Sequence, residues 1–467
     1  MKHATMILCA ALAALLAGCK SDLDGGSDTA GNGAGATSTS SSSSSSSGGP
    51  TSGGGSSGGS SSSSSGGGSS SGGGSSSGGG SSSGGGSSSG GGSASACSGM
   101  STGAAADLNG FRLFASGSAW NQDISALPVD SQSDAYIAAI GTGTALHPDF
   151  GTQYGIPYIV VDSSTQPKAA INLGMYGSES DPGPFAIPPN APIETTSSDA
   201  HVLALDRATC WLYEIYVAGV NAQGDWSGDS TALWDMLNNA SQSRPYGWTS
   251  ADAAGLPIFA GLVREDEVAR GSIDHALRFT VANTRKAYVA PASHWASSST
   301  STSRLPMGAR LRLKASVDIS GFSAANQVIL RALKTYGMIL ADNGSNLFIT
   351  GANDPDWNDD DLNALKRLTA ANFEVVQMGT VVAPGSEPQG TVPSIASFSA
   401  SPATVSAGGA VTLSFSVSNA SYLIISPEVG PVRGTSASVH PTTTTTYTLY
   451  ATNAYGRREA TVRVTVN

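Results

Sequence analysis

The chain has 467 residues, of which 12% are charged and 59 are glycine, and its formal net charge is −11. A negative balance of this kind repels a phosphate backbone and argues against nucleic acid as a partner. Past the first twenty positions no run approaches about 18 consecutive apolar residues, so no membrane-spanning helix is expected there.

Residues 1–18 read as a leader. Its apolar stretch from Ala4 to Ala17 is shorter than the roughly 20 residues a spanning helix needs, but it suits a signal peptide. Leu16-Ala17-Gly18-Cys19 closes that stretch as a bacterial lipoprotein processing site, so the mature chain is expected to begin at Cys19. One acyl chain anchors marginally and two hold, which a diacylglyceryl group on the Cys19 sulfur would supply. The plainer alternative is an ordinary cleaved signal followed by a chance cysteine. The expected address is an outer-membrane or cell-surface lipoprotein exposed to the extracellular space or periplasm.

Residues 19–96 form a tether of almost pure serine and glycine, without the apolar surface that offsets ordering entropy. Seventy such residues span about 46 Å as a flexible coil. The remaining residues, about 370, suit two domains better than one core. Ala383-Pro384-Gly385-Ser386-Glu387-Pro388 breaks all periodicity, which places a large domain at 97–382, a linker at 383–392 and a small domain at 393–467. Cys9 leaves with the leader and Cys19 takes lipid, so Cys97 and Cys210 are expected to pair in an oxidising compartment. That bridge closes a long loop, with a contribution of about 4 kcal/mol in the chain-entropy model.

In the large domain, period-two strands are expected at 156–161, 201–205, 212–217, 275–281 and 286–289. Helices are expected at 133–140, 325–336 and 360–368, the second with Ser323 as N-cap and Gly337 at its end. Met338 to Leu340 and Leu347 to Thr350 are expected to form a hairpin around Asn343-Gly344. Residues 263–268 read as one solvated helical turn. The fold class is α+β, with a mainly antiparallel β large domain and a C-terminal all-β sandwich.

No Gly-x-Ser-x-Gly elbow, His-Glu-x-x-His, phosphate loop or Cys-x-x-Cys occurs, so lipases, common metalloproteases, nucleotide enzymes and zinc ribbons lose ground. What remains is a constellation of candidates. Glu214 lies mid-strand among aromatics, with Leu212 and Tyr216 on its face, and such an acid suits a sugar groove. Glycosidic hydrolysis needs a second carboxyl group, with Asp206, Asp266 and Glu267 as candidates; the alternative for Glu214 is an ion pair with Arg278. His275 and His294 are candidate acid–base groups, against a hydrogen-bonded core role for His275. His201 begins a strand and fits either role. Trp120, Tyr216, Trp248, Trp295 and Arg278 are candidate substrate contacts. Asp354, Asp356 and Asp359 concentrate oxygen ligands of the kind calcium takes, although capping of the helix that follows explains the same run. No cofactor is otherwise expected, and a monomer is.

Phe398-Ser399-Ala400-Ser401-Pro402, Val411-Thr412-Leu413-Ser414-Phe415, the threonine run from Pro441 to Tyr447 and Ala451-Thr452-Asn453-Ala454-Tyr455-Gly456 resemble bacterial immunoglobulin-like modules appended to secreted enzymes and adhesins. Trp120-Asn121-Gln122-Asp123-Ile124, Glu179-Ser180-Asp181-Pro182-Gly183-Pro184, the segment from Gly247 to Pro257, His275-Ala276-Leu277-Arg278-Phe279 and Tyr336-Gly337-Met338 with Asp342-Asn343-Gly344-Ser345 resemble a group of secreted bacterial proteins without a settled activity. That resemblance supports one domain and assigns no catalytic role. The layout of anchor, tether and appended sandwich is similar to surface polysaccharide-degrading enzymes. It implies a glycan-active hydrolase or lyase acting on an extracellular polysaccharide, or a glycan-binding or adhesive lipoprotein without chemistry.

Overall fold

The computed structural model of the chain describes residues 96–238 and 243–467. The leader, Cys19 and the tether up to Ser95 lie outside the described residues. No helix among the described residues is long and apolar enough to cross a membrane.

Strands dominate, as the period-two patterning predicts. The larger part begins with β1 (Gly103–Ala104), β2 (His147–Asp149), β3 (Tyr158–Val161), β4 (Ile171–Leu173), β5 (Val202–Asp206), β6 (Trp211–Tyr216), β7 (Gly219–Val220), β8 (Trp226–Gly228) and β9 (Ser230–Asp235). It continues with β10 (Leu277–Val281), β11 (Arg285–Tyr288), β12 (Pro306–Met307), β13 (Arg310–Leu313), β14 (Met338–Asn343), β15 (Phe348–Thr350) and β16 (Phe373–Val375). Between them lie the helices α1 (Ser133–Ile140), α2 (Glu265–Arg270), α3 (Ala324–Thr335) and α4 (Asp359–Leu362). Two sheets organise this part, with strand orders β1-β3-β5-β6-β9 and β16-β13-β14-β10-β15-β2.

Alternation along β6 explains how the first sheet is buried on both faces. Leu212 and Trp234 turn into the main core together with Leu277 and Phe279 of the second sheet. Trp211, Tyr213 and Ile215 turn the other way, into a second core with Phe185, Val202 and Leu233. Cys97 and Cys210 form the expected disulfide, with Cα atoms 5.6 Å apart.

Most ladders of the two sheets are antiparallel, as expected, although parallel ladders join β3 to β5, β10 to β14 and β15 to β2. One topological expectation is corrected. The hairpin around Asn343-Gly344 does not form, because β14 and β15 bind opposite edges of β10. An apolar, buried strand such as β10 must satisfy both rows of backbone groups, and inserting it between β14 and β15 does so. The helix signals fare better. The Ser323 hydroxyl accepts the Asn326 amide at the start of α3, and Gly337 just beyond its end has φ of +68°. A side chain at Gly337 would run into the Leu311 carbonyl, so glycine is required there on two counts. Residues 265–270 are helical, but Glu267 is buried, so this turn is not a solvated one.

The C-terminal part consists of β17 (Ser394–Ser401), β18 (Thr404–Val405), β19 (Val411–Ser418), β20 (Tyr422–Ser426), β21 (Gly430–Val432), β22 (Ser436–Val439), β23 (Thr445–Asn453) and β24 (Gly456–Val466). They form the sheets β17-β19-β22 and β18-β24-β23-β20-β21 around Leu413, Phe415, Ile425, Tyr447 and Leu449. Alternation along β20 divides its loyalties. Ile425 serves this core, whereas Tyr422 and Ile424 join the second core of the larger part.

A buried carboxylate keys that junction. Asp181 is fully buried and pairs with Arg244, with Arg457 of β24 at 3.1 Å and with the Tyr422 hydroxyl at 2.7 Å. Removing one member of a buried charge network strands the others without partners. Asp181→Ala is therefore expected to cost about 3–5 kcal/mol, measured by chemical denaturation of the intact chain.

A candidate active site on the mixed sheet

Alternation along β10 sends Leu277, Phe279 and Val281 into the main core and Arg278 to the opposite face. On β14 the register slips: Phe279 faces Leu340, whereas Thr280 faces Asp342. Ala341 is the extra residue of this β-bulge. Without it, Asp342 would fall opposite Val281, on the apolar face. The bulge instead puts Asp342 on the same face as Arg278, and re-aiming a side chain next to a site is a common use of such bulges. Ala341 also accepts the Ala254 amide at 3.0 Å, which ties the 250–256 loop to the bulge. The Ser250 hydroxyl braces that loop by donating to the Leu256 carbonyl at 2.7 Å and accepting the Asp252 amide at 2.9 Å.

A polar row results. Arg278 donates to Asp252 Oδ1 at 3.1 Å and to the Thr350 hydroxyl at 2.8 Å, and Thr350 sits in register with Asp149 of β2. Arg278 and Asp252 are buried, Asp342 is half-buried and Asp149 is exposed, so the row climbs from the interior to solvent. Asp252 Oδ2 has no hydrogen-bond partner. Burial raises the Asp252 carboxyl against the pull of Arg278. Burial, followed by the charge of Asp252, pushes Asp342 up to about 7. Asp149 reaches solvent as a residue, but partial desolvation of its carboxyl, followed by the charge of Glu194, raises it too.

The first sheet supplies the facing side. His201 Nδ1 lies 2.6 Å from Glu194 Oε2, and its Nε2 lies 3.1 Å from the Ala251 carbonyl. Both ring nitrogens face acceptors, so both carry hydrogen and the ring is an imidazolium. Burial opposes that charge, but the bond to Glu194 and its charge prevail, and the His201 pKa is raised. Tyr216 lies beside His201 with ring centroids 5.8 Å apart, and Tyr176 lies 6.4 Å beyond it.

Tyr216 and Arg278 thus belong to this site, and His294 borders it through a 2.8 Å bond from Nδ1 to the Ala253 carbonyl. Trp295 stacks on His294 and Tyr288. The other candidates lie elsewhere. Glu214 is enclosed in the main core, where its carboxyl oxygens accept the Trp234 indole and the Phe259 amide, each at 2.9 Å, and burial pushes it to about 7. The expected alternative partner for Glu214, Arg278, is committed to Asp252 instead. Asp206 caps the turn after β5, accepting the Ser163 and Ala208 amides. His275 bonds Glu267 at 3.0 Å, and Arg264 joins both Asp266 and Glu267. Trp120 is buried, and with His275, Glu267 and Arg264 it lines a separate cleft of about 270 Å³, solvent mouth included. Trp248 lies under Arg457 and Arg244 at the junction.

Asp359 binds the Thr152 amide and hydroxyl at 2.9 and 2.6 Å, and Asp354 accepts the Asp356 amide. No group of three or more His, Cys, Asp or Glu among the described residues is arranged to hold a metal ion. Sequence patterning does not single out Asp252 or Asp342 as chemistry. The available signals are an aspartate closing the apolar run Met338 to Ala341, and another within a loop of small residues.

No protein-family model matches the chain, and neither a curated protein nor a solved structure does so.

The raised groups make a thermal prediction. Asp342, Asp252, Asp149, Glu214 and His201 hold protons more tightly folded than unfolded. The carboxyl contributions are greatest at low pH and are lost as pH rises from about 4 through 7, and that of His201 is lost only above about 6.5. The melting temperature is expected to fall between about pH 5 and 8, and Asp342→Asn to flatten that fall and raise Tm at the alkaline end. Calorimetry across the range checks both.

Proposed function

We propose that the chain is a surface-anchored enzyme that cleaves an extracellular polysaccharide. The observation that carries this is the polar row itself: Asp252 bonded to Arg278 at 3.1 Å, and half-buried Asp342 turned onto the same face by the bulge, where burial and the charge of Asp252 push it up to about 7. Cleaving a glycosidic bond, by hydrolysis or elimination, needs a group that gives a proton and one that takes it. Two carboxyls in unlike surroundings, one buried against Arg278 and one half-buried, offer a pair for these roles. Tyr216 and the 37% exposed Tyr176 offer flat faces beside the pair for stacking on sugar rings.

The lipoprotein leader and Ser/Gly tether fit presentation of this site outside the cell. The C-terminal sandwich fits an immunoglobulin-like accessory, and the larger part fits the group of secreted bacterial proteins it resembles. The second candidate function is a non-catalytic glycan-binding or adhesive lipoprotein. It is favoured by a ladder of rings from Trp295 through Tyr288 and Tyr246 to Tyr455, with centroids 5.9, 6.3 and 5.9 Å apart. A binder does not need a half-buried carboxyl raised to about 7 beside a second, buried one, and that favours catalysis.

Incubating the intact chain with a broad polysaccharide panel and measuring reducing ends and unsaturated products tests the proposal. Asp342→Asn and Asp252→Asn are each expected to lower turnover by about a hundredfold to ten-thousandfold. Undiminished activity in both variants, or no product from any polymer, contradicts it.

A further inference from the structure

One cavity stands apart from the polar row. The cleft lined by Trp120, Arg264, Glu267 and His275 has Leu113 and Phe114 on its apolar side and Arg112, its one exposed wall residue, at the mouth. The enclosed part has room for about one water-sized group, about 10 Å³, and most of its 270 Å³ is open mouth.

Most polar groups around it are already engaged. Glu267 meets Arg264 at 2.8 Å, Arg270 at 3.7 Å and His275 at 3.0 Å, and the second ring nitrogen of His275 lies 2.8 Å from the Ala276 carbonyl. Two donors are left over. Nε of Arg264 bonds Asp266 and its Nη2 meets Glu267, but Nη1 has no partner among the described residues, and neither has the indole N–H of Trp120. Arg264 is 3% and Trp120 1% exposed, yet both atoms keep contact with solvent, and the opening their residues line is this cleft. The indole is held in its pose, because Cζ3, across the ring system from the N–H, lies so close to Gly261 that a Cβ there would come within 2.7 Å of it. Donors this deep are costly to leave unmet unless a bound group supplies the acceptor.

Charge points the same way. Asp266 and Glu267 are matched by Arg264 and Arg270, whereas Arg112 donates to the Asn121 carbonyl at 2.9 Å and has no ion-pair partner among the described residues. Asp123 and Asp274 act on Tyr336, over which Arg112 sits, but neither pairs with Arg112.

We infer that the cleft binds the carboxylate head of a small organic acid. One carboxylate oxygen takes the water-sized place and accepts from the indole N–H and from Arg264 Nη1, the other faces Arg112, and a short alkyl tail lies along Leu113 and Phe114. Bonds from a guanidinium to a carboxylate are among the strongest that side chains make. A phosphate brings too many oxygens for one enclosed place, and a halide leaves the apolar wall unused. No residue of the polar row takes part, so the inference stands apart from the polysaccharide proposal.

The test uses the intact chain with its indole nitrogens labelled, the Trp120 resonance being assigned by its loss in Trp120→Phe. Propionate, propionamide, chloride and phosphate are each titrated in the same dilute zwitterionic buffer, and calorimetry gives the affinity. Propionate is expected to move the Trp120 N–H resonance saturably at millimolar concentration, and the other three to leave it in place. Arg112→Gln is expected to weaken propionate binding by about threefold to fivefold, the size of an exposed ion pair, and Trp120→Phe by about tenfold, the size of a hydrogen bond to a charged group. Arg458→Gln, which removes an exposed arginine on β24, is expected to change nothing. Arg112 is on the surface, so its variant decides the matter even if Trp120→Phe fails to fold.

An unmoved resonance means that the cleft holds water only, and it overturns the inference. An equal response to propionamide, chloride or phosphate does so too, as does an Arg112→Gln protein that binds propionate as tightly as the parent. Each of these outcomes leaves the polysaccharide proposal to its own assay.

Discussion

One guanidinium organises the candidate site. Arg278 leaves a strand whose other face is entirely apolar, bonds Asp252 from a loop and Thr350 from the next strand, and tempers the charge of Asp342 and Asp149. Without it, the buried Asp252 carboxyl and half-buried Asp342 would have no guanidinium bonded to either. With it, the rise that burial imposes on Asp252 is opposed, and the charge of Asp252 in turn raises Asp342. The result is two carboxyls on one floor, which the proposed function uses as proton donor and proton acceptor.

The surrounding fold serves that arrangement through backbone irregularity. The bulge at Ala341 turns Asp342 onto the polar face, and the same residue's carbonyl anchors the loop that carries Asp252. The first sheet closes the other side through His201, whose paired nitrogens hold the Glu194 and Ala251 segments together. A second buried acid, Asp181, does comparable work at the junction, where it fixes β20 and β24 of the sandwich against the larger part. In both places a carboxylate joins segments far apart in sequence, which apolar contact alone would leave free to slide.

Much of the framework was legible from the chain. Period two located β3, β5, β6, β10 and β11 to within two residues, and Ser323 with Gly337 marked the limits of α3. The Cys97–Cys210 pairing followed from arithmetic on four cysteines. Strand order was not legible, since apolar alternation in β14 and β15 says nothing about whether they pair with each other or with β10. The site was harder still. Glu214 carries every local mark of a groove acid, yet both sides of its strand are covered by another sheet or a second core, so its neighbours are Trp234 and Phe259 rather than solvent. Asp252 and Asp342 lie 90 residues apart, and only the bulge brings them onto common ground.

Asp342 is held up to about 7 because burial and the charge of Asp252 both favour its neutral acid. Carboxyl-selective carbon NMR on aspartate-labelled protein, titrated through the acidic and neutral range, measures this most directly. The account predicts a midpoint for Asp342 of about 7, moving down in Asp252→Asn as the neighbouring charge is removed. A midpoint in the ordinary aspartate range of about 4, indifferent to Asp252→Asn, would contradict it.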